Sequence, residues 1–254
     1  MDLSAKGMRV LVTAGGAGIG RVIADTFVAQ GAKVHVCDVD EKALKGLGTI
    51  THSVADVAKL DQVERLFEDV TKKLGGLDVL VNNAGIAGPT AKVEDIRPED
   101  WERTIAIDLN GMFYCTRKAM PMIKLSGGGS IVNLSSTAGR LGFPLRSPYA
   151  AAKWGVVGFT KSLAVEAGPD KVRVNCIQPG IVEGDRVERV IAAKAKAIGA
   201  EHEKVRAMML ETTSLRSTVT AQDVADMALF LATAPGRHIT GQAISVCGDL
   251  RYYP

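Results

Sequence analysis

The chain has 254 residues, a formal charge of +3, 46% hydrophobic and 23% charged residues. At that length a single domain buries about three quarters of the surface its unfolded chain exposes, so one large core forms without disulfide or metal staples. The basic residues are scattered rather than clustered, which leaves no footprint for nucleic acid or a membrane surface, and no apolar run reaches the roughly 18 residues that span a bilayer.

The opening "MDLSAKGMRVLV" carries an early acid and no long apolar core, so a secretory leader is not expected and a cytoplasmic location is. Cys37, Cys115, Cys176 and Cys247 lie far apart without metal-ligand spacing and read as small buried residues of a reducing compartment, with no metal site. Short β-rich runs then alternate with segments of helical period. The runs are 9–14, 33–38, 52–57, 78–83, 130–135, 172–177 and 243–248. Between them lie stripes such as Val63, Leu66, Phe67, Val70 and Leu74, which predict a helix. This alternation predicts an α/β fold: one Rossmann-type, doubly wound domain over 1–254, with a seven-stranded parallel sheet and helices on both faces. Residues 183–215 break the rhythm and read as a helical lid, with Val187, Val190, Ile191, Val205, Met208 and Met209 as candidates for its apolar face.

The first strand runs into "TAGGAGIG" at 13–20 and then into a helical pattern. Glycines in that position give a tight turn, let the backbone approach a pyrophosphate and set the anion at a helix N-terminus. Thr13, Gly15, Gly16, Gly18, Ile19 and Gly20 are therefore candidate cofactor contacts. Asp38, 18 residues past Gly20 at the end of the second strand, is placed to accept hydrogen bonds from an adenosine ribose and to repel a 2′-phosphate. That charge favours NAD over NADP.

Further along, "SPYAAAKWG" sets Lys153 four residues after Tyr149, one turn along the same helix face. A free tyrosine has a pKa of about 10, and an adjacent ammonium favours its ionised form, giving a base for an alcohol or an acid for a ketone. Ser136 follows the fifth strand, 13 residues before Tyr149, and offers a hydroxyl to hold the substrate oxygen. Arg140 and Arg146 lie between them as candidate grips for an anionic substituent of the substrate. The lid has no such bias: residues 183–211 hold six acids and six bases.

The glycine turn, Asp56–Val57, "NNAG" at 82–85, Ser136, "YAAAK" at 149–153 and Pro179–Gly180, in this order, resemble the short-chain dehydrogenase/reductase family over nearly the full length. The resemblance implies nicotinamide-dependent oxidation or reduction of an alcohol or carbonyl, and a homotetramer or homodimer. It also implies that Asp56 and Val57 border the adenine, that Asn83, Ala84 and Gly85 line the adenosine side, and that Pro179, Gly180 and Val182 meet the nicotinamide. Tyr149 and Lys153 then also contact the cofactor, with Lys153 holding the nicotinamide ribose. Three positions depart from the family pattern. Ala14 replaces the first glycine, a small change if its φ stays negative. Asp108 stands where the family has an asparagine whose main-chain carbonyl holds a relay water. Gly184 replaces a threonine that donates to the cofactor. The expected reaction is NAD-linked hydride transfer to or from a secondary alcohol or ketone. The alternatives are an NADPH-dependent 3-oxoacyl thioester reductase and, from another class, a non-catalytic dinucleotide sensor.

Overall fold

The computed structural model describes residues 2–253. Seven strands, β1 Arg9–Thr13, β2 Lys33–Asp38, β3 Thr51–Val54, β4 Val79–Asn82, β5 Gly129–Leu134, β6 Val172–Pro179 and β7 Ala243–Val246, form one sheet in the order 3-2-1-4-5-6-7. All six pairings are parallel. The helices are α1 Gly18–Ala29, α2 Leu60–Leu74, α3 Pro98–Ile105, α4 Gly111–Leu125, α5 Ser147–Ala167, α6 Asp185–Ile198, α7 His202–Glu211 and α8 Ala221–Ala232.

Alternation along the central strands divides the interior in two, because successive side chains point to opposite faces. Val10, Val12, Val79 and Val81 enter the core that includes Phe27 of α1 and Leu229 of α8. Leu11 and Leu80, one position away, enter the other core with Val63 and Phe67 of α2 and Ile123 of α4. Both faces are covered, so the strands read as unbroken apolar runs rather than half-polar ones.

Strand positions follow the sequence reading closely, with the largest difference at β3, expected over 52–57 and observed at Thr51–Val54. There the Ala55 N–H still reaches Asp38 O (3.0 Å), but the Asp56 side chain accepts the Ala58 N–H (3.0 Å) and turns the chain away. The lid expected at 183–215 is the pair α6 and α7. Ile191, Val205 and Met209 are buried with Ile181, Cys247 and Leu250, Val187 packs against them, and Val190 and Met208 are half-buried. All four cysteines are free and buried. Burial pushes the thiols of Cys37 (to about 12), Cys115 and Cys176 (to about 11) upward. Among the described residues no helix is long and apolar enough to cross a membrane. The order in which strands are added reverses between β1 and β4, and in such a sheet the ligand crevice lies beyond the carboxyl ends of the strands at that switch point.

Candidate active site

At the crevice, β1 hands over to α1 through four residues, Ala14 to Ala17. The chain bends at once, with the Gly15 N–H on Cys37 O (3.0 Å), and Ala14 adopts φ +49°. The condition under which Ala14 would be a small change, a negative φ, is therefore not met. An L-residue in this region costs on the order of 1 kcal/mol. Three glycines are required by close approach: a Cβ would stand 2.6 Å from Val36 Cγ1 at Gly15, 2.9 Å from Ala43 Cβ at Gly16 and 2.2 Å from Ala14 O at Gly20. Gly18 differs, with φ +55° and open space around it. α1 has no capping side chain at Ala17 and no acid in its first turn. Its first amides thus lack an intrahelical or side-chain partner and face the open side, which fits a pyrophosphate.

Asp38 lies directly against this turn, accepting the Gly16 N–H on Oδ2 (3.1 Å) and the Asp40 N–H on Oδ1 (3.1 Å). Thr13 and Asn83 join β1 to the end of β4: Thr13 Oγ1 accepts the N–H of Asn83 and of Ala84 (both 3.0 Å), and Asn83 Nδ2 donates to Thr13 O (3.0 Å) and Ala14 O (3.1 Å). Their polar groups hold the crevice floor together. Ile19 is half-buried against the α1 core. Val57 packs under Gly111, where a Cβ would meet it at 2.7 Å. On the far side Pro179 O accepts the Thr137 hydroxyl (3.3 Å), the Gly180 N–H donates to Val246 O (2.9 Å), and Val182 bridges to Val219.

The reacting end is assembled by β5 and α5. Ser136 lies two residues past the end of β5 and its Oγ accepts the Ala138 N–H (3.1 Å). Lys153 Nζ donates to Leu134 O (3.0 Å), and Ser135 Oγ donates to the carbonyl of Lys153 (2.9 Å), so the strand end and the helix are tied together. The ammonium lies 5.6 Å from the Tyr149 ring centre. Behind it, in a π turn at Ala106–Asn110, the fully buried Asp108 sets Oδ2 3.4 Å from Lys153 Nζ. Asp108 Oδ1 accepts the Ile86 N–H (2.7 Å), while Oδ2 has no hydrogen-bond donor. Gly85 closes the gap, since a Cβ there would stand 3.3 Å from both Asp108 Oδ2 and Lys153 Nζ.

A chain that folds into this strand–glycine-turn–helix crevice, with a Ser, Tyr and Lys at its far end, is similar to known proteins over nearly its full length. The family model described as enoyl-(acyl carrier protein) reductase matches residues 13–249. The D-β-hydroxybutyrate dehydrogenase of Rhizobium meliloti is 35% identical over 249 residues, 94% of this chain and 96% of that protein. The 3-oxoacyl-[acyl-carrier-protein] reductase of Thermotoga maritima is 34% identical over 253 residues, 96% of this chain and 98% of that one. A solved NAD+-bound xylitol dehydrogenase superposes with a TM-score of 0.92 at 25% identity, covering 96% of this chain and 99% of that one. The chain is a short-chain dehydrogenase/reductase.

Against the family pattern, the carboxylate of Asp108 adds a negative charge beside the lysine that an asparagine lacks. It props the adjoining loop by accepting an N–H rather than by donating an amide. Gly184, the residue before α6, has φ +128°, which a threonine adopts only under strain. The two arginines between Ser136 and Tyr149 part ways. Arg140 Nη2 donates to Leu250 O (2.8 Å) and fastens the C-terminal segment. Arg146 turns inward, 3% exposed, with its guanidinium carbon 5.2 Å from the ring centres of both Phe143 and Tyr149. Burial pulls its pKa down.

Two neighbours of this short-chain dehydrogenase/reductase site carry no sequence signal. Tyr253 stacks on Phe143 with ring centres 3.7 Å apart, and its hydroxyl lies 2.5 Å from Thr137 Oγ1 with Ser136 also hydrogen-bonding to it. Burial pushes that phenol to about 12. Arg186, exposed in the first turn of α6, reaches back to donate to Gly85 O (3.3 Å) and sets its guanidinium 5.9 Å from the Tyr149 ring. A lone tyrosine near a chain end and one charge among twelve in a balanced lid gave nothing to single out.

Proposed function

We propose that the chain is an NAD-dependent dehydrogenase/reductase that interconverts a secondary alcohol and a ketone. The observation that carries this reading is the grouping of Ser136, Tyr149 and Lys153 at one end of the glycine-turn crevice. The C-terminal tyrosine hydrogen-bonds Ser136 while lying within electrostatic reach of Tyr149, so both hydroxyls serve one chamber.

The uncapped start of α1 and the Gly18 turn hold the pyrophosphate, Asp38 accepts from the adenosine ribose, and Lys153 holds the nicotinamide ribose. Bound nicotinamide supplies or accepts the hydride. Ser136 turns its hydroxyl proton from Tyr253 to the substrate oxygen and fixes that atom beside the Tyr149 hydroxyl. Tyr149 removes the alcohol proton in oxidation and returns it in reduction, with the Lys153 ammonium supplying positive charge along the helix face. Asp108 keeps that ammonium in place from behind. NAD is preferred because the Asp38 carboxylate, already against Gly16, stands where a 2′-phosphate would add a second negative charge.

Replacing Tyr149 by Phe tests the assignment: cofactor binding persists and turnover of secondary alcohols falls by at least 10²-fold. A Phe variant that works at the parent rate refutes it. The acyl-carrier reductase relative supports the thioester reading as the second choice, and titration with NADH and NADPH separates the two.

A further inference from the structure

The chamber in front of Tyr149 is lined by more positive charge than hydride transfer requires. Arg146 is buried, its Nη2 donates to Ala87 O, and its Nε has no partner. A buried guanidinium N–H without an acceptor is costly, and burying the charge without a counter-ion is costlier still. Among the described residues no carboxylate is in ion-pair contact with Arg146 or Arg186. The one acid nearby, Asp108, stands against Lys153. Three cations therefore lie within 6 Å of the Tyr149 ring centre, at 5.2, 5.6 and 5.9 Å, with one carboxylate between them.

The backbone is built to hold this arrangement. Leu145, just before Arg146, has φ +65°, rare for a branched residue and kept only where the surroundings enforce it. Its carbonyl is fixed by the Ala91 N–H (3.0 Å), which pins the turn that directs Arg146 inward. Beside Arg146, the stacked rings of Phe143 and Tyr253 line a groove of about 410 Å³ together with Leu141, Pro144 and Tyr252.

We infer that Arg146, assisted by Arg186, is a carboxylate-binding subsite and that the substrate is a short hydroxy acid or its oxo-acid partner. The inference rests on the dehydrogenase reading above and names its substrate class. A carboxylate supplies the acceptor that Arg146 Nε lacks and brings the local charge toward zero. A guanidinium suits this role because its planar fork matches the two carboxylate oxygens.

The test compares 2- and 3-hydroxy acids of two to six carbons with their methyl esters, with NAD, in the parent, Arg146→Gln, Arg146→Lys and Arg186→Gln. In the parent the acid exceeds its ester in kcat/KM by tens of fold. Arg146→Gln lowers the acid-to-ester ratio of kcat/KM by roughly 10- to 100-fold, as loss of a charged hydrogen bond predicts, whereas Arg146→Lys recovers part of the preference. Equal use of acid and ester by the parent, or an equal fall of both in Arg146→Gln, overturns the inference. If Arg146→Gln does not fold, Arg186→Gln, altered on an exposed helix turn, decides: an acid-to-ester ratio reduced several-fold supports the subsite and an unchanged ratio overturns it. If nothing in the panel turns over while other secondary alcohols do, the hydroxy-acid inference is overturned and the dehydrogenase reading stands; if no secondary alcohol turns over, that reading fails, and butanoate then judges the subsite alone. Butanoate raises the melting temperature of the parent but not of Arg186→Gln if the subsite exists, and equal shifts or none overturn it.

Discussion

His35 sets a measurable acid limit on the fold. It sits in β2, fully buried, with Nδ1 2.8 Å from Thr51 Oγ1 and Nε2 3.0 Å from Ser53 Oγ, while Ser53 Oγ donates to Asp69 Oδ2 (2.7 Å). Ser53 uses its proton on Asp69, so Nε2–H donates to Ser53 and Nδ1 accepts from Thr51, which is a neutral ring. Burial, only partly opposed by Asp69, lowers the His35 pKa from 6.5 to about 4. The unfolded chain therefore takes up a proton below pH 6.5 that the folded chain refuses until about pH 4. Stability from this residue is full above pH 6.5 and is lost as pH falls through the window between the two values. The linkage relation gives a loss of about 2 kcal/mol between pH 7 and pH 5, and about 3 kcal/mol by pH 4. Urea unfolding at half-unit pH steps, on the parent and on His35→Gln, isolates the contribution from the carboxylates that titrate in both. The parent loses about 2 kcal/mol more than the variant between pH 7 and pH 5. Parallel stability curves for the two proteins would refute the reasoning.

Ala14→Gly relieves the left-handed alanine and gains up to about 0.5 kcal/mol after the added freedom of the unfolded glycine is subtracted, read as an equal or higher melting temperature. A loss of about 1 kcal/mol, the usual cost of Ala→Gly, contradicts the strain. Gly20→Ala forces a methyl against Ala14 O and Asn83 Nδ2 at 2.2 and 2.4 Å, so it loses roughly 1 to 3 kcal/mol in urea unfolding together with most dinucleotide affinity. Asp38→Ala removes the charge set against a 2′-phosphate and shifts the ratio of NADP to NAD dissociation constants by at least about tenfold toward NADP, near 1.4 kcal/mol. An unchanged ratio means that Asp38 does not select the cofactor.

Much of the fold was legible because the inner strands are runs buried on both faces and the edge strands β3 and β7 are still short segments set between turns and helical periods. That pattern survives without any knowledge of pairing, and it located all seven strands to within a few residues. Strand ends were less legible where a side chain ended them, as Asp56 does for β3 by capping its own turn. The Ser136, Tyr149 and Lys153 set was legible because its spacing along β5 and α5 is local. The positive φ of Ala14 was not, since it follows from the Gly15 hydrogen bond to β2, a contact between distant segments. Arg140 and Arg146 looked equivalent in sequence. Only the turn at Leu145 and the return of Leu250 separate the one that fastens the chain end from the one that faces the chamber. Arg186 and Tyr253 arrive from outside the motif region altogether, brought by the lid and the last residues.

The buried thiols carry a practical consequence. Cys37 lies in β2, Cys115 in α4, Cys176 in β6 and Cys247 just beyond β7, all shielded from solvent. An alkylating reagent needs both access and a thiolate, and the folded chain denies access at all four and disfavours the anion at the first three. The rate at which each sulfur becomes labelled under mild denaturation is thus a clock for local opening. It can be read separately at the two flanks of the sheet and at the helix packed on it, without introducing a single foreign probe.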